Sequence, residues 1–234
     1  QAALNRMLAQ IQEVMGRERR FIADAAHEMR TPLAVLRVHA QNLMEAGSDA
    51  ERRVSLEHLI AGVDRTSRLV NQLLTMARIE PNPGTQPPAP IDLAATVRDS
   101  LIQLTPWLLS KDLELVFDVS DDIGLVRVDP AAIDIALNNL VTNAANFSPL
   151  HGLIRVTLAA RQNVLELSVE DEGPGINEDD RARLFERFYS RGNDQGAGLG
   201  LTIVQAIADR LGGQIKLENR SPAGLRATLE IGRA

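Results

Sequence analysis

The chain has 234 residues, 44% of them hydrophobic, a formal net charge of −6 and no cysteine. That is enough for a helical module plus one globular domain with its own core, and it excludes disulfides and thiolate metal sites. Mild acidity argues against nucleic acid as a partner, no apolar run approaches the roughly 18 to 20 residues of a membrane span, and no signal peptide is present.

The first predicted helix carries an apolar stripe at Leu4, Leu8, Ile11, Met15, Ile22, Ala25, Met29, Leu33, Leu36, Ala40 and Leu43. Steps of three and four alternate, with one extra step of four at Pro32, which is coiled-coil spacing with a stutter. The chain is already in helical register at Leu4 with no capping residue before it, so further chain is expected upstream of Gln1. His27 lies off the stripe, about 160° from Ala25 and Met29, and shares a face with Asp24, Arg30 and Thr31. Its imidazole is therefore expected to meet solvent. Pro32 cannot donate to the carbonyl of Glu28, which predicts a bend or loosening within a turn of His27. His39, His58 and His151 are read as ordinary solvated or capping histidines. His27 differs in its company: a neutral imidazole has a lone pair suited to attack on phosphorus, and Glu28 beside it can accept the released proton.

The stretch Phe21-Ile-Ala-Asp-Ala-Ala-His27-Glu-Met-Arg-Thr-Pro-Leu33 resembles the phosphoacceptor box of bacterial sensor histidine kinases, in which the histidine takes the γ-phosphoryl group of ATP. The resemblance implies His27 as nucleophile, Glu28 as general base, and Thr31 as the residue that positions water when phosphate is removed from the partner protein. Met29 stands where the family more often has leucine, a change of packing only. The resemblance further implies an upstream sensor and membrane helices, making this the cytoplasmic portion of an inner-membrane protein.

Gly47-Ser-Asp-Ala-Glu51 combines a helix-stop glycine with N-capping residues, and a second stripe follows at Leu56, Leu59, Ile60, Val63, Val70, Leu73, Leu74 and Ala77. Two such helices form an antiparallel hairpin whose apolar seam they cover poorly alone. Pairing of two hairpins into a four-helix bundle, a homodimer, is the expected solution; packing of the hairpin on its own domain is the alternative. Residues 80–90 hold five prolines and a glycine and form the linker between a hairpin domain, 1–79, and a second domain, 91–234. There the pattern predicts a helix near 92–110, strands near 113–119 and 124–128, and a helix from Pro130. Strands near 153–159 and 164–170 follow, then a short helix near 178–187, a glycine-rich loop, a helix over 199–211 and strands near 214–219 and 225–231. The fold class is α+β, the second domain an α/β sandwich with a mixed sheet.

Four motifs in that domain carry chemistry. Asn139, Asn143 and Asn146 fall on one face of the helix opened by Asp129 and Pro130, where amide oxygens can ligate Mg²⁺, although such asparagines are more often solvated or hydrogen-bonded. Asp171-Glu-Gly173-Pro-Gly175 ends a strand. It is either an ordinary turn or a site where the carboxylate accepts a hydrogen bond from the amine of adenine, which selects ATP over GTP. Leu184 to Tyr189 holds three of the seven aromatics in the chain, Phe188 among them. It precedes Gly196-Ala-Gly198-Leu199-Gly200-Leu, which opens a helix whose N-terminal amides can hold phosphate; Arg191 to Gln195 form a lid over it.

Singly these are weak; their order, closed by Leu211-Gly-Gly-Gln214, resembles the catalytic domain of histidine kinases, in the ATPase superfamily shared with gyrase and the mismatch-repair clamps. That resemblance implies Asn143 as Mg²⁺ ligand with Asn139 beside it. It implies Asp171, Gly173 and Gly175 at adenine, and Gly198 and Gly200 at the phosphates. It also implies a response-regulator receiver domain as partner. The family commonly carries a basic residue near Asn146, whereas Lys111 and Lys216, the only lysines, lie outside every motif. Arg187 and Arg191 are then the candidate cations, and Asn146→Lys is expected to tighten ATP binding with no partner to displace. The rival readings are a non-kinase ATPase clamp and a dimeric scaffold with a decayed nucleotide domain.

Overall fold

The computed structural model describes residues 2–79, 88–120, 123–161, 163–186, 189 and 198–232. By mutual packing the chain divides into two units, Gln1–Leu73 and Leu74–Ala234.

In the first unit, α1 (Ala2–Glu45) continues unbroken through Pro32 and is followed by α2 (Asp49–Ile79), whose residues from Leu74 onward are counted with the second unit. The turn between them departs from expectation in one respect: Gly47 does not adopt a left-handed conformation, so it is not the αL stop of α1. Its amide instead donates to the Glu51 carboxylate at 2.9 Å, while the Ser48 hydroxyl accepts from Glu51 N at 3.2 Å. This reciprocal capping organises the start of α2. Leu36 fills the space opposite Gly62, where a Cβ would stand 2.7 Å from Leu36 Cδ2, and the rings of His39 and His58 lie 5.1 Å apart. A contact at 36/62 followed by one at 39/58 makes the helices antiparallel. The two histidines are thus an interhelical ring pair rather than separate solvated residues. Ile22, Leu33, Leu56, Ile60 and Val63 remain exposed along the hairpin.

The first strand of the second unit starts inside the proline-rich stretch. Pro90, read as the end of the linker, is the first residue of β1 (Pro90–Asp92), which pairs antiparallel with β3 (Leu125–Arg127). A three-residue strand next to prolines leaves no periodicity to read. Asp92 then caps α3 (Leu93–Leu109) by accepting from Ala95 N at 2.9 Å, and Asp129 caps α4 (Pro130–Phe147) by accepting from Ala131 N at 3.0 Å. Each cap contributes about 1 kcal/mol.

Five strands form the main sheet, in the order β2 (Glu114–Ser120), β4 (Leu153–Arg161), β5 (Val164–Glu170), β7 (Leu225–Gly232), β6 (Gln214–Asn219). The β2–β4 pair is parallel and the rest antiparallel, a mixed sheet. Alternate residues Ile154, Val156 and Leu158 of β4 and Leu165, Leu167 and Val169 of β5 are buried. The period of two turns one apolar face toward the helices. Against it pack α3, α4 and α6 (Gly200–Arg210), with Ile133, Leu137, Leu140, Ile203 and Ile207 buried between layers. At about 1.5 to 3 kcal/mol each, these side chains hold α4 and α6 in fixed relation. The helix expected near 178–187 is only α5 (Glu178–Arg181), continued by turns. No helix among the described residues is long and apolar enough to cross a membrane.

Candidate functional site

The buried stripe of α4 faces the sheet and α6, so the flanking asparagine face is presented at the edge of that packing. Asn138 turns back on its own helix, its Nδ2 donating to Asp134 O at 2.8 Å and to Asp134 Oδ1 at 3.1 Å. Asn139 commits its Nδ2 to Ile135 O at 2.8 Å, which leaves its Oδ1 turned toward the start of α6. There, a methyl added at Gly200 would stand 3.1 Å from both amide atoms of Asn143 and 3.4 Å from Asn139 Oδ1. The structure therefore brings Asn139, Asn143 and Gly200 together, and only glycine leaves that approach open.

Leu199 occupies the position before α6 and is fully buried, so it makes no side-chain cap for the helix. Among the described residues no side chain caps the first amides of α6, the arrangement in which a helix terminus receives an anion. Gly198 takes φ 66°, turning the chain into the helix. At the far end of α6, the Leu211-Gly-Gly turn is structural: Gly213 N donates to Ala208 O at 2.8 Å and Gly212 N to Asp209 O at 3.2 Å, a Schellman stop. Arg210 closes the frame on Asp129, at the start of α4, at 2.8 Å.

Asp171 sits at the end of β5, 6% exposed. Its Oδ1 accepts from Gly173 N at 2.8 Å and from Leu225 N at 3.1 Å. Burial pushes its carboxyl above the usual carboxylate range, opposed in part by those two amides and by Arg220. The loop after it is closely fitted: a Cβ at Gly173 would meet the backbone carbonyl of Phe147 at 2.7 Å, and one at Gly175 would meet the side-chain Oδ1 of Asn219 at 2.7 Å. Phe147, the 44% exposed last residue of α4, borders this loop through its backbone carbonyl.

Several residues that the sequence did not single out hold this edge. Arg220 donates to Asp171 O at 2.9 Å and pairs with Glu170 at 3.1 Å, while Arg226 grips Glu170 at 2.6 Å. Asn219 clamps Ile176 through both its amide groups, at 2.8 and 2.7 Å. Gly224 has φ 113°, and a Cβ there would lie 2.1 Å from Asp171 O. Gly224→Ala is therefore expected to destabilise the domain by about 3 kcal/mol or more and to displace Asp171. Thermal unfolding checks this; an unchanged midpoint would contradict the placement.

The third motif is anchored on its described residues. Thr202 Oγ1 donates to Phe185 O at 3.3 Å, and Tyr189 OH to Asp180 Oδ1 at 2.7 Å. Arg187, Phe188, Arg191 and Gly196, and the lid from Arg191 to Gln195, lie outside the described residues. One sequence expectation is overturned: Asn146 has a partner, accepting from Lys111 Nζ at 3.4 Å. Lys111 is 35 positions away, on the turn after α3, so only the tertiary fold brings this lysine to a motif residue.

In the other unit His27 and Thr31 are both exposed on α1, as their positions off the apolar stripe require; the side chain of Glu28 is outside the described residues. An imidazole thus stands on an open helix face in one unit, and the polar edge at Asp171, Asn139 and Asn143 belongs to the other.

Residues 17–82 match the His Kinase A (phospho-acceptor) domain, and residues 128–234 match the histidine kinase-, DNA gyrase B- and HSP90-like ATPase. The chain belongs to the sensor histidine kinases. The second match makes the α/β unit an ATP-binding domain. Among relatives, the swarming motility regulation sensor protein RssA of Serratia marcescens is 34% identical over 92% of this chain and 46% of its own length. The signal transduction histidine-protein kinase/phosphatase MprB of a Mycobacterium species is 34% identical over 95% of this chain and 44% of its own. The chain thus spans about half the length of the curated relatives it matches. The solved histidine kinase AdeS of Acinetobacter baumannii aligns with a TM-score of 0.68 and 27% identity over 88% of this chain and 98% of that one.

Proposed function

We propose that this chain transfers the γ-phosphoryl group of ATP to its own His27 and passes it to an aspartate on a response-regulator receiver domain. The observation that carries the reading is the edge formed by Asp171, Asn139, Asn143 and the uncapped start of α6. It offers an acceptor for a base amine and donors for phosphates in a chain that also exposes a helical histidine. Among the described residues the bonds to the Asp171 carboxylate end on Oδ1, which leaves Oδ2 for the adenine amine. Guanine presents a carbonyl there and is repelled. Gly173 and Gly175 let the base approach. Gly198 and Gly200 admit the phosphates to the amides of α6.

The neutral amide oxygens of Asn143 and Asn139 suit Mg²⁺, a cation that keeps phosphate and water ligands of its own. When bound, it neutralises charge on the phosphates. The lone pair of His27 attacks the γ-phosphorus, the N–P bond forms as the bond to the β-phosphate oxygen breaks, and the imidazole proton passes to Glu28. ADP leaves. Incubation with γ-labelled ATP separates the possibilities: acid-labile label on the protein supports the kinase, free phosphate alone indicates an ATPase clamp, and neither indicates a scaffold.

We further propose domains at 1–79 and 91–234, and a homodimer. The exposed Ile22, Leu33, Leu56, Ile60 and Val63 of the hairpin are covered when two hairpins pair, and the matched His Kinase A domain spans them. A cytoplasmic position at an inner membrane follows from the longer sensor relatives. Phosphatase activity toward the regulator is proposed as well, a double role that the name of MprB carries. Thr31 lies one helical turn after His27, exposed on α1, where its hydroxyl can hold a water without acting as nucleophile. Thr31→Ala is expected to slow dephosphorylation of the regulator at least about tenfold and autophosphorylation by no more than about twofold, by loss of one hydrogen bond to water. Equal losses in the two assays would overturn the role.

A further inference from the structure

We propose that Lys111, from the turn between α3 and β2, is the cation that meets the γ-phosphate of bound ATP. Asn139, Asn143 and Asn146 lie on one face of α4, and the first two meet Gly200 at the start of α6. A triphosphate held at that helix start and running along this face reaches Asn146 one helical turn beyond Asn143. The side chain already there is Lys111, whose Nζ donates to Asn146 Oδ1.

Three features place the ammonium rather than leaving it to wander. Its turn is fixed by Lys111 N to Leu108 O and Asp112 N to Leu109 O, both 3.0 Å, with Asp112 in the left-handed region at φ 56°. The same turn is tied to the segment that follows α4, through His151 N to Asp112 O at 2.9 Å and Glu114 N to Gly152 O at 3.0 Å. Trp107 lies under the side chain, its ring centroid 5.1 Å from Nζ, which guides the stem and leaves donors outward. An ammonium has three donors, and the bond to Asn146 is long at 3.4 Å. It is readily exchanged for a charge-assisted bond to phosphate.

The competing role is structural: a cation near the C-terminal end of α4 complements its dipole and stacks on Trp107. The two roles separate by nucleotide, because ADP lacks the group that Lys111 meets. Calorimetric titrations of ATP and ADP with Mg²⁺ into the whole chain would compare wild type, Lys111→Met and Lys111→Met with Asn146→Lys. Methionine keeps the stem over Trp107 without the charge, and the double variant returns the cation from the other side of the same hydrogen bond. The proposal rests on the nucleotide reading above. Lys111→Met is expected to weaken ATP binding on the order of tenfold or more and ADP by a smaller factor, and the double variant to recover ATP affinity. Asn146→Lys alone sets two ammonium groups side by side, so it is expected to gain less than the double variant recovers. ATP affinity unchanged in Lys111→Met, or equal losses of ATP and ADP that the double variant does not restore, would overturn the proposal and leave the nucleotide site standing. Wild type binding neither nucleotide would remove that site and this proposal together.

Discussion

His27→Gln is expected to reduce label transfer from γ-labelled ATP to background while changing the Kd for ATP by less than about twofold, since the histidine and the nucleotide edge belong to different packed units. Glutamine approximates the size of imidazole and removes the lone pair that attacks phosphorus. His27 is exposed on a helix surface, so the substitution leaves no cavity and no orphaned buried partner. The nucleotide edge belongs to the other packed unit of the chain. Mixing His27→Gln with Asp171→Asn extends the result: in a mixed dimer, one protomer supplies a working histidine and the other a working nucleotide site. Label on His27→Gln itself at a normal rate would refute the nucleophile assignment.

The second large effect is expected at Asp171, where stability and binding should part company. Asparagine keeps an Oδ1 that accepts from Gly173 N and Leu225 N, but it replaces Oδ2 by an amide that donates. Two donors then face each other at the adenine amine, and ATP binding should fall at least about tenfold as a buried hydrogen bond is lost. Burial raises the Asp171 carboxyl above its ordinary value, so the folded state holds its proton more tightly than the unfolded chain. That contribution to stability is full below the unfolded value and is lost as pH rises through the folded one. Above the folded value the wild type therefore carries the cost of a desolvated carboxylate. Asp171→Asn removes it, and its stability relative to wild type should increase across that window. Asp171→Ala, by contrast, orphans two amides and should lose both binding and about 1 to 3 kcal/mol of stability. Unfolding curves at several pH values, together with ATP titrations, check the set. An Asn variant that binds ATP normally would contradict the base contact.

The sequence reveals the parts of this molecule whose geometry is local. The His27 face follows from helical spacing alone, and the caps at Asp129 and Ser48 follow from residue type next to an apolar run. The strands β4 and β5 show their period of two openly because one face is buried. What escapes is whatever depends on chain segments meeting. Lys111 stands in no motif, and its value comes from a hydrogen bond to Asn146 across 35 residues, beside two turns that the fold ties together. Arg220, Arg226, Asn219 and Gly224 support Asp171 from the β6–β7 hairpin, and no spacing rule connects position 224 with position 171. Gly47 misleads for the opposite reason: glycine after a helix suggests a left-handed stop, but the reciprocal bonds of Ser48, Glu51 and Gly47 satisfy the turn without one.

The most direct test of the central claim is the position and chemistry of the transferred phosphoryl group. The wild-type chain would be incubated with γ-labelled ATP and Mg²⁺, digested at alkaline pH, and the labelled peptide identified. The expected result is a single labelled peptide containing His27, with a bond stable in alkali and lost in acid, as a phosphoramidate is. Label on another residue, an acid-stable bond, or release of all label as free phosphate would contradict the assignment of this chain as a kinase of its own His27.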